Sequence, residues 1–385
     1  MEKTIIYFGN VLYPDLDAAS HRTIGNAKAL RELGYNVVLI GTRKGEIRPV
    51  LETKETFHGF DIYFFPDPET PKQWKDYLFG FKPLEVVFKT LKNVDSVILY
   101  NHPSISTKRA LSFCHKHKVK VYADCTEWFD PHGFSIHTVI KKIDTWYRMQ
   151  HANKHLDGII AISSFLDKFY KEKGCKTICV PPLIDLTNEK WKVDPIRKEE
   201  DTDFVKLIYV GNPGAGEKDK LGLIISSLRK VHQANPNLHF GLDIIGMNEE
   251  QFHGVFHEDI SDCSFVSFLG RKPNVEALAH IKGSDYTVFL RDNNLTCSAG
   301  FPTKFSEAMA CGTPVLTNLS SDLGQYLING KNGFILDKEN LAKLCEGLVH
   351  ALTVEKDQRK VMKEYCKSDK TFDYHSFIED FKKMF

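Results

Sequence analysis

The sequence predicts an α/β protein built from two tandem Rossmann-like, doubly wound domains, with a cleft between them and a helix at the C-terminus. Three observations carry that prediction. Short apolar runs bounded by turn residues alternate with helix-period stretches along most of the 385 residues. The runs lack period-two alternation, as strands covered on both faces of a parallel sheet do. After a polar interruption near the middle of the chain the whole βα pattern restarts.

Taken in order, Thr4–Phe8 reads as a strand, Ala19–Leu33 as a helix stopped by Gly34, and Asn36–Ile40 as the strand that completes a βαβ unit. Ser96–Tyr100, Val119–Ala123 and Gly158–Ile162 continue the sheet. Residues 183–204, with Pro195 and the charged run Arg197–Asp201, have little apolar periodicity and read as a linker. Leu207–Gly211 opens the second set, followed by a helix over Leu221–Ala234 and strands at Leu242–Ile245, Thr287–Leu290 and Pro314–Thr317. The domains are accordingly drawn as 1–182 and 205–365. In the remainder, 366–385, Phe377, Ile378, Phe381 and Met384 recur at helical spacing, which predicts a helix packing back on the first domain.

Composition narrows the function classes. With 51 basic and 50 acidic residues the formal charge is +1, which excludes the overall electrostatic footprint of a nucleic-acid binder. The charge is uneven: residues 1–182 carry 26 basic and 20 acidic residues, the rest 25 and 30. The nine cysteines are scattered without a Cys-x-x-Cys pair, so neither a disulfide framework nor a zinc site is expected, and a reducing cytoplasm fits. No leader pattern opens the chain, and no apolar run approaches the roughly 18 residues of a spanning helix.

The most informative segment is Phe301–Leu316. Pro302 suits the start of a helix, Gly312 its C-terminal cap, and Pro314 the start of a strand. The first-turn amides near Thr303, with the Lys304 ammonium beside them, form a cradle for a phosphate, and Glu307 one turn on suits a diol. Phosphate and ribose side by side describe a nucleotide. The competing reading is a surface helix whose Glu and Lys are merely solvated.

This block, Glu307-Ala308-Met309-Ala310-Cys311-Gly312-Thr313-Pro314-Val315, resembles the signature of glycosyltransferase family 4, the retaining GT-B sugar-nucleotide transferases of bacterial surface-polysaccharide type. Asp157–Ser163, Val180–Asp185, Tyr209-Val210-Gly211 and Asn329–Phe334 stand in that family's order and spacing. The resemblance implies a GT-B fold, a UDP- or GDP-linked sugar donor, a saccharide or lipid-linked saccharide acceptor, no nucleic acid and no metal or other cofactor. It implies a donor site of Gly211, Asn212, Lys218, Ala299, Gly300, Phe301, Thr303, Lys304 and Glu307. Two departures stand out: Ala299 replaces the family's first signature Glu, and Asn212 falls where an Arg is usual. The Gly-rich turn after Val210 also resembles a dinucleotide loop, but its spacing is not Gly-x-Gly-x-x-Gly.

For the acceptor side, the small residues Ala18, Ala19 and Ser20 replace a Gly-rich loop, and His21 and Arg22 begin the next helix, where they are expected either to meet an acceptor phosphate or to form a solvated first turn. Thr126-Glu127 stands where the family often has His-Asp. Glu127 is therefore the candidate acceptor-side carboxylate, or else a cap for the following helix. Asn101-His102-Pro103 ends a strand at the same sheet edge. The expected catalytic set is Glu127, Lys218 and Lys304, and the acceptor set is Ala19, Ser20, His21, Arg22, His102, Thr126 and Glu127. Two basic-aromatic stretches, Lys72–Lys92 and Ile136–Lys154, suit an anionic membrane surface at the inner face of the cell membrane, or are ordinary amphipathic helices. Two other functions fit the same architecture: a catalytically silent binding or chaperone subunit, and a nucleotide-sugar epimerase or phosphorylase.

Overall fold

The structure, a computed structural model, describes residues 2–14, 17–129, 135–196, 203–212 and 218–385, with the side chains of 136 and 137 left aside. The chain forms two compact units. One comprises Met1–Ile184, Ser298–Phe301 and Asp373–Phe385, the other Asp185–Cys297 and Pro302–Phe372.

The first unit is built on an eight-stranded sheet: β1 (Thr4–Leu12), β2 (Asn36–Arg43), β3 (Glu55–Phe57), β4 (Phe60–Pro66), β5 (Val94–Tyr100), β6 (Lys120–Cys125), β7 (Gly158–Ala161) and β8 (Thr177–Cys179). Its order is β3-β4-β2-β1-β5-β6-β7-β8. Every pairing is parallel except β3 with β4. Ile5, Ile6, Tyr7 and Phe8 are all buried because helices cover both sheet faces, which is why the strand reads as a continuous apolar run. The order reverses between β1 and β5, so their C-terminal ends diverge into a crevice.

The helix Ala18–Glu32 follows β1 and starts at a capping box: Asp17 accepts from the Ser20 amide, and the Ser20 hydroxyl lies against the Asp17 amide. The chain's last residues belong to this unit. A 3-10 turn (Tyr374–Phe377) and a helix (Ile378–Met384) place Phe381 and Met384 in the core with Leu30, Tyr122 and Ile160. Burying each of those two side chains contributes about 1.5–3 kcal/mol. The Tyr374 amide donates to the Ile184 carbonyl at 3.0 Å, fastening the segment to the end of the unit's first long stretch.

The second unit carries β9 (Val205–Val210), β10 (Phe240–Ile245), β11 (Val266–Gly270), β12 (Tyr286–Val288), β13 (Val315–Thr317) and β14 (Gly333–Ile335) in the order β11-β10-β9-β12-β13-β14. All five pairings are parallel, and the switch lies between β9 and β12. The helix Leu221–Ala234 buries Leu221, Ile224, Ile225, Leu228 and Val231 on one face, the i, i+3/i+4 stripe its sequence shows.

Two boundaries differ from the sequence reading. Residues 366–368 end the helix Lys356–Ser368 of the second unit, because Met362 and Cys366 are buried there. Within the stretch read as a linker, the described residues 183–196 are partly docked. Leu183 and Ile184 are core residues of the first unit, while Trp191 is buried in the second, where its carbonyl accepts from Lys282. A single tryptophan escapes a periodicity test, yet it anchors its neighbours.

Candidate functional site

In the second unit the C-terminal ends of β9 and β12 gather a buried ionic cluster. Asp219 is 5% exposed. Its Oδ2 accepts from the Lys304 ammonium at 2.7 Å and from the Tyr209 hydroxyl at 3.0 Å, and its Oδ1 lies 3.5 Å from Nε of Arg291. Burial pushes the Asp219 carboxyl up, but Lys304 and Arg291 outweigh it and hold it below the usual carboxylate range. Tyr209 is raised well above the ordinary phenol range, by burial first and by Asp219 second.

Lys304 sits in the first turn of the helix Thr303–Ala310, preceded by Pro302 and closed by Gly312 at φ +71°. Its ammonium reaches back across the end of β9 because Gly211 has no side chain. A Cβ at Gly211 would lie 2.7 Å from Lys304 Nζ, and the residue adopts φ +144°. The amides of Thr303 and Lys304 precede the helical hydrogen-bond ladder, so donors and a cation converge where an anion would be held. Glu307, half-buried, lies one turn along the same helix.

In the first unit a cavity of about 890 Å³ opens at the β1/β5 switch. That is near the upper end of small-molecule sites, about 300–1,000 Å³. Asn10 and Ala19 line one side, Tyr77 and Phe79 another, and Asn101, Glu127, Asp144 and Arg148 supply polar groups. Arg148 is buried, begins a π-helical turn (Arg148–Ala152), and donates from Nη1 to the Asn101 carbonyl at 2.6 Å. Its Nε has no hydrogen-bond partner. Such turns concentrate at functional sites. Thr126 is tied to Asn101 in both directions: its hydroxyl accepts from Asn101 Nδ2 at 2.5 Å and its amide donates to Asn101 Oδ1 at 3.0 Å. These bonds set the loop that carries Glu127.

Residues 196–369 match the family model described as glycosyl transferases group 1. This segment is a glycosyl transferases group 1 domain. The group 1 domain therefore contains the whole Asp219–Lys304–Glu307 constellation. An uncharacterized glycosyltransferase of Methanocaldococcus jannaschii is 27% identical over 126 residues, 32% of this chain and 34% of that protein, so the match spans about a third of the relative's length. Three solved structures share the fold. Sucrose-phosphate synthase of Thermosynechococcus elongatus has a TM-score of 0.67 at 13% identity, covering 100% of this chain and 98% of its own. HepE of Anabaena, solved with UDP-glucose, has 0.65 at 14%, covering 99% and 98%. A UDP-forming trehalose-phosphate synthase of Burkholderia xenovorans has 0.68 at 12%, covering 100% and 98%. The chain has the GT-B fold.

Within and around the group 1 domain the structure sorts the expected residues. Gly211, Lys304 and the helix start at Thr303 come together; Asn212 and Lys218 are exposed at the flanks of 213–217, which lies outside the described residues. Ala299, Gly300 and Phe301 belong to the first unit, where the Ala299 carbonyl accepts from the Ser163 hydroxyl at 2.8 Å. Ala299 itself is fully buried, so its methyl is a packing group and not a donor contact.

On the acceptor side, Ala19 and Glu127 line the cavity, while His21 stands half-buried in the first helical turn. Three expectations are corrected. Arg22 does not face an acceptor: it is 2% exposed, pairs with the fully buried Asp124 at 2.7 Å, and donates from Nη1 to the Val180 carbonyl at 2.8 Å. Ser20 is consumed by the capping box. His102 is buried, its Nε2 2.6 Å from the Ser106 hydroxyl, and burial together with Arg148 pushes its pKa down to about 3. Nor does Glu127 cap the next helix, which Ser135 caps. Sequence reasoning missed Arg291, Asp219 and Arg148. For Arg148 the available signal was Asp144–Arg148 spacing within a stretch read as membrane-facing.

Among the described residues no group of three or more His, Cys, Asp or Glu side chains is placed to hold a metal ion, and no helix is long and apolar enough to cross a membrane. The nine cysteines, all among the described residues, form no disulfide.

Proposed function

We propose that this chain is a glycosyltransferase of the family 4 type that moves a sugar from a UDP- or GDP-linked donor to a saccharide or lipid-linked saccharide, with retention at the anomeric carbon. The observation that carries the reading is the Lys304–Asp219–Gly211 arrangement at the β9/β12 switch of the group 1 domain, beside a helix N-terminus and one turn from Glu307. In this reading the helix amides, Lys304 and Lys218 hold the diphosphate and Glu307 the ribose. The bond from the anomeric carbon to the diphosphate oxygen breaks with its electron pair on the nucleotide, and the fixed cations take up that charge without a metal ion. The acceptor oxygen bonds to the anomeric carbon, and Glu127 takes its hydroxyl proton. That HepE was solved with UDP-glucose supports a uridine nucleotide over a guanosine one.

The first-unit cavity is assigned to the acceptor. Beside it the helix Ile136–Tyr147 exposes Val139, Ile140, Ile143 (61%) and Trp146 (52%) next to Lys141 and Lys142. This pattern supports peripheral contact with an anionic membrane surface and a lipid-linked acceptor, in cytoplasmic assembly of surface polysaccharide. One observation favours a second reading: buried Ala299 offers no carboxylate to the donor sugar, as in a silent binding subunit.

Incubation with a panel of UDP- and GDP-sugars, reading free nucleoside diphosphate, separates them. Release from at least one donor supports transfer. Nucleotide binding without release from any donor supports the silent subunit, and conversion of the donor sugar without release supports an epimerase.

A further inference from the structure

Arg291 lies three residues beyond the end of β12, at the strand pair where the sheet order reverses. Its backbone is held twice over by Asn318, whose Oδ1 accepts from the Arg291 amide at 2.8 Å and whose Nδ2 donates to the Arg291 carbonyl at 2.9 Å. A bridge to Asp219 fixes it further. The side chain is 2% exposed, yet neither Nε nor Nη1 has a hydrogen-bond acceptor. The nearest carboxylate oxygen, Asp219 Oδ1, stands at 3.5 Å from Nε, an ion-pair distance but too long for a strong hydrogen bond.

A buried donor without an acceptor costs about 1–3 kcal/mol, and two on one guanidinium call for an explanation. The arrangement is also charge-unbalanced: among the described residues Asp219 is the one carboxylate paired to both Lys304 and Arg291. A guanidinium with open donors, fixed beside an ammonium at the C-terminal edge of a parallel sheet, has the chemistry of an oxyanion site.

We infer that Arg291 is a binding residue for the diphosphate of the nucleotide, and that Asp219 is an internal counter-ion in the charge role the phosphates take when bound. This rests on the proposed function and adds to it a cation just beyond β12 that no motif marks.

The test uses the full chain, with UDP and uridine as probes in calorimetric titration. Arg291→Met is expected to weaken UDP binding 10- to 100-fold and to leave uridine binding within twofold, since the guanidinium acts on phosphate alone. UDP affinity within threefold of the parent chain overturns the inference while leaving the donor site intact. A parent chain that binds no UDP overturns the donor reading and the inference with it. Should Arg291→Met not fold, Arg291→Lys decides: it keeps the cation but loses the planar fork, so UDP affinity should fall about tenfold, and undiminished affinity overturns the assignment.

Discussion

Asp219→Asn separates the two roles an internal carboxylate can have. Asp219 neutralises Lys304 at 2.7 Å and Arg291 at 3.5 Å. Removing one partner of a buried ion pair costs about 3–5 kcal/mol; Lys304 remains 20% exposed, so about 2–3 kcal/mol is the appropriate figure. For a unit of this size that lowers Tm by roughly 4–12 °C. A bound diphosphate restores the missing negative charge, so the variant should gain more from ligand than the parent chain. A tenfold tighter Kd adds about 1.4 kcal/mol at a fixed saturating UDP concentration, a further rise of roughly 3–6 °C. Thermal unfolding of both chains with and without UDP reads both effects. If Asp219→Asn melts within 2 °C of the parent, or if UDP stabilises it less, the carboxylate is not the counter-ion and the reasoning fails.

Three further outcomes follow from the first unit. Arg22→Met, which leaves Asp124 buried and unpaired, should cost about 3–5 kcal/mol in urea unfolding, and Arg22→Met with Asp124→Leu should recover much of it. His102, with its pKa near 3 in the folded chain against about 6.5 unfolded, binds a proton only on unfolding in that window; stability is complete above pH 6.5 and falls as pH drops toward 3, by about 2 kcal/mol at pH 5. The urea midpoint of His102→Asn should lose that portion of the acid dependence. Glu127→Gln should lower transfer by roughly 10²–10⁴-fold with UDP affinity unchanged, measured by initial rates and titration.

The strands were legible because burial on both faces leaves unbroken apolar runs, as in Ile5–Phe8 and Leu207–Val210, and the helix Thr303–Ala310 because Pro302 and Gly312 punctuate it. The place of Lys304 in the first helical turn was legible for the same reason. The side chains at the ends of other strands were not. Arg22 and His102 carry polar groups usually found at surfaces, and only tertiary pairing with Asp124 and Ser106 shows them buried. Asp219 and Lys304 meet across 85 positions of sequence, and the first-unit cavity draws on residues from Asn10 to Arg148, so no local window contains either. Arg148 read as one more basic residue of the stretch Ile136–Lys154, and only tertiary packing shows it buried.

The most direct test is a crystal structure of the chain with UDP. The diphosphate is expected against Lys304, Arg291 and the amides at Thr303, with the ribose hydroxyls on Glu307. UDP bound elsewhere, with Lys304 still bonded to Asp219 and no ligand at the β9/β12 edge, would contradict it.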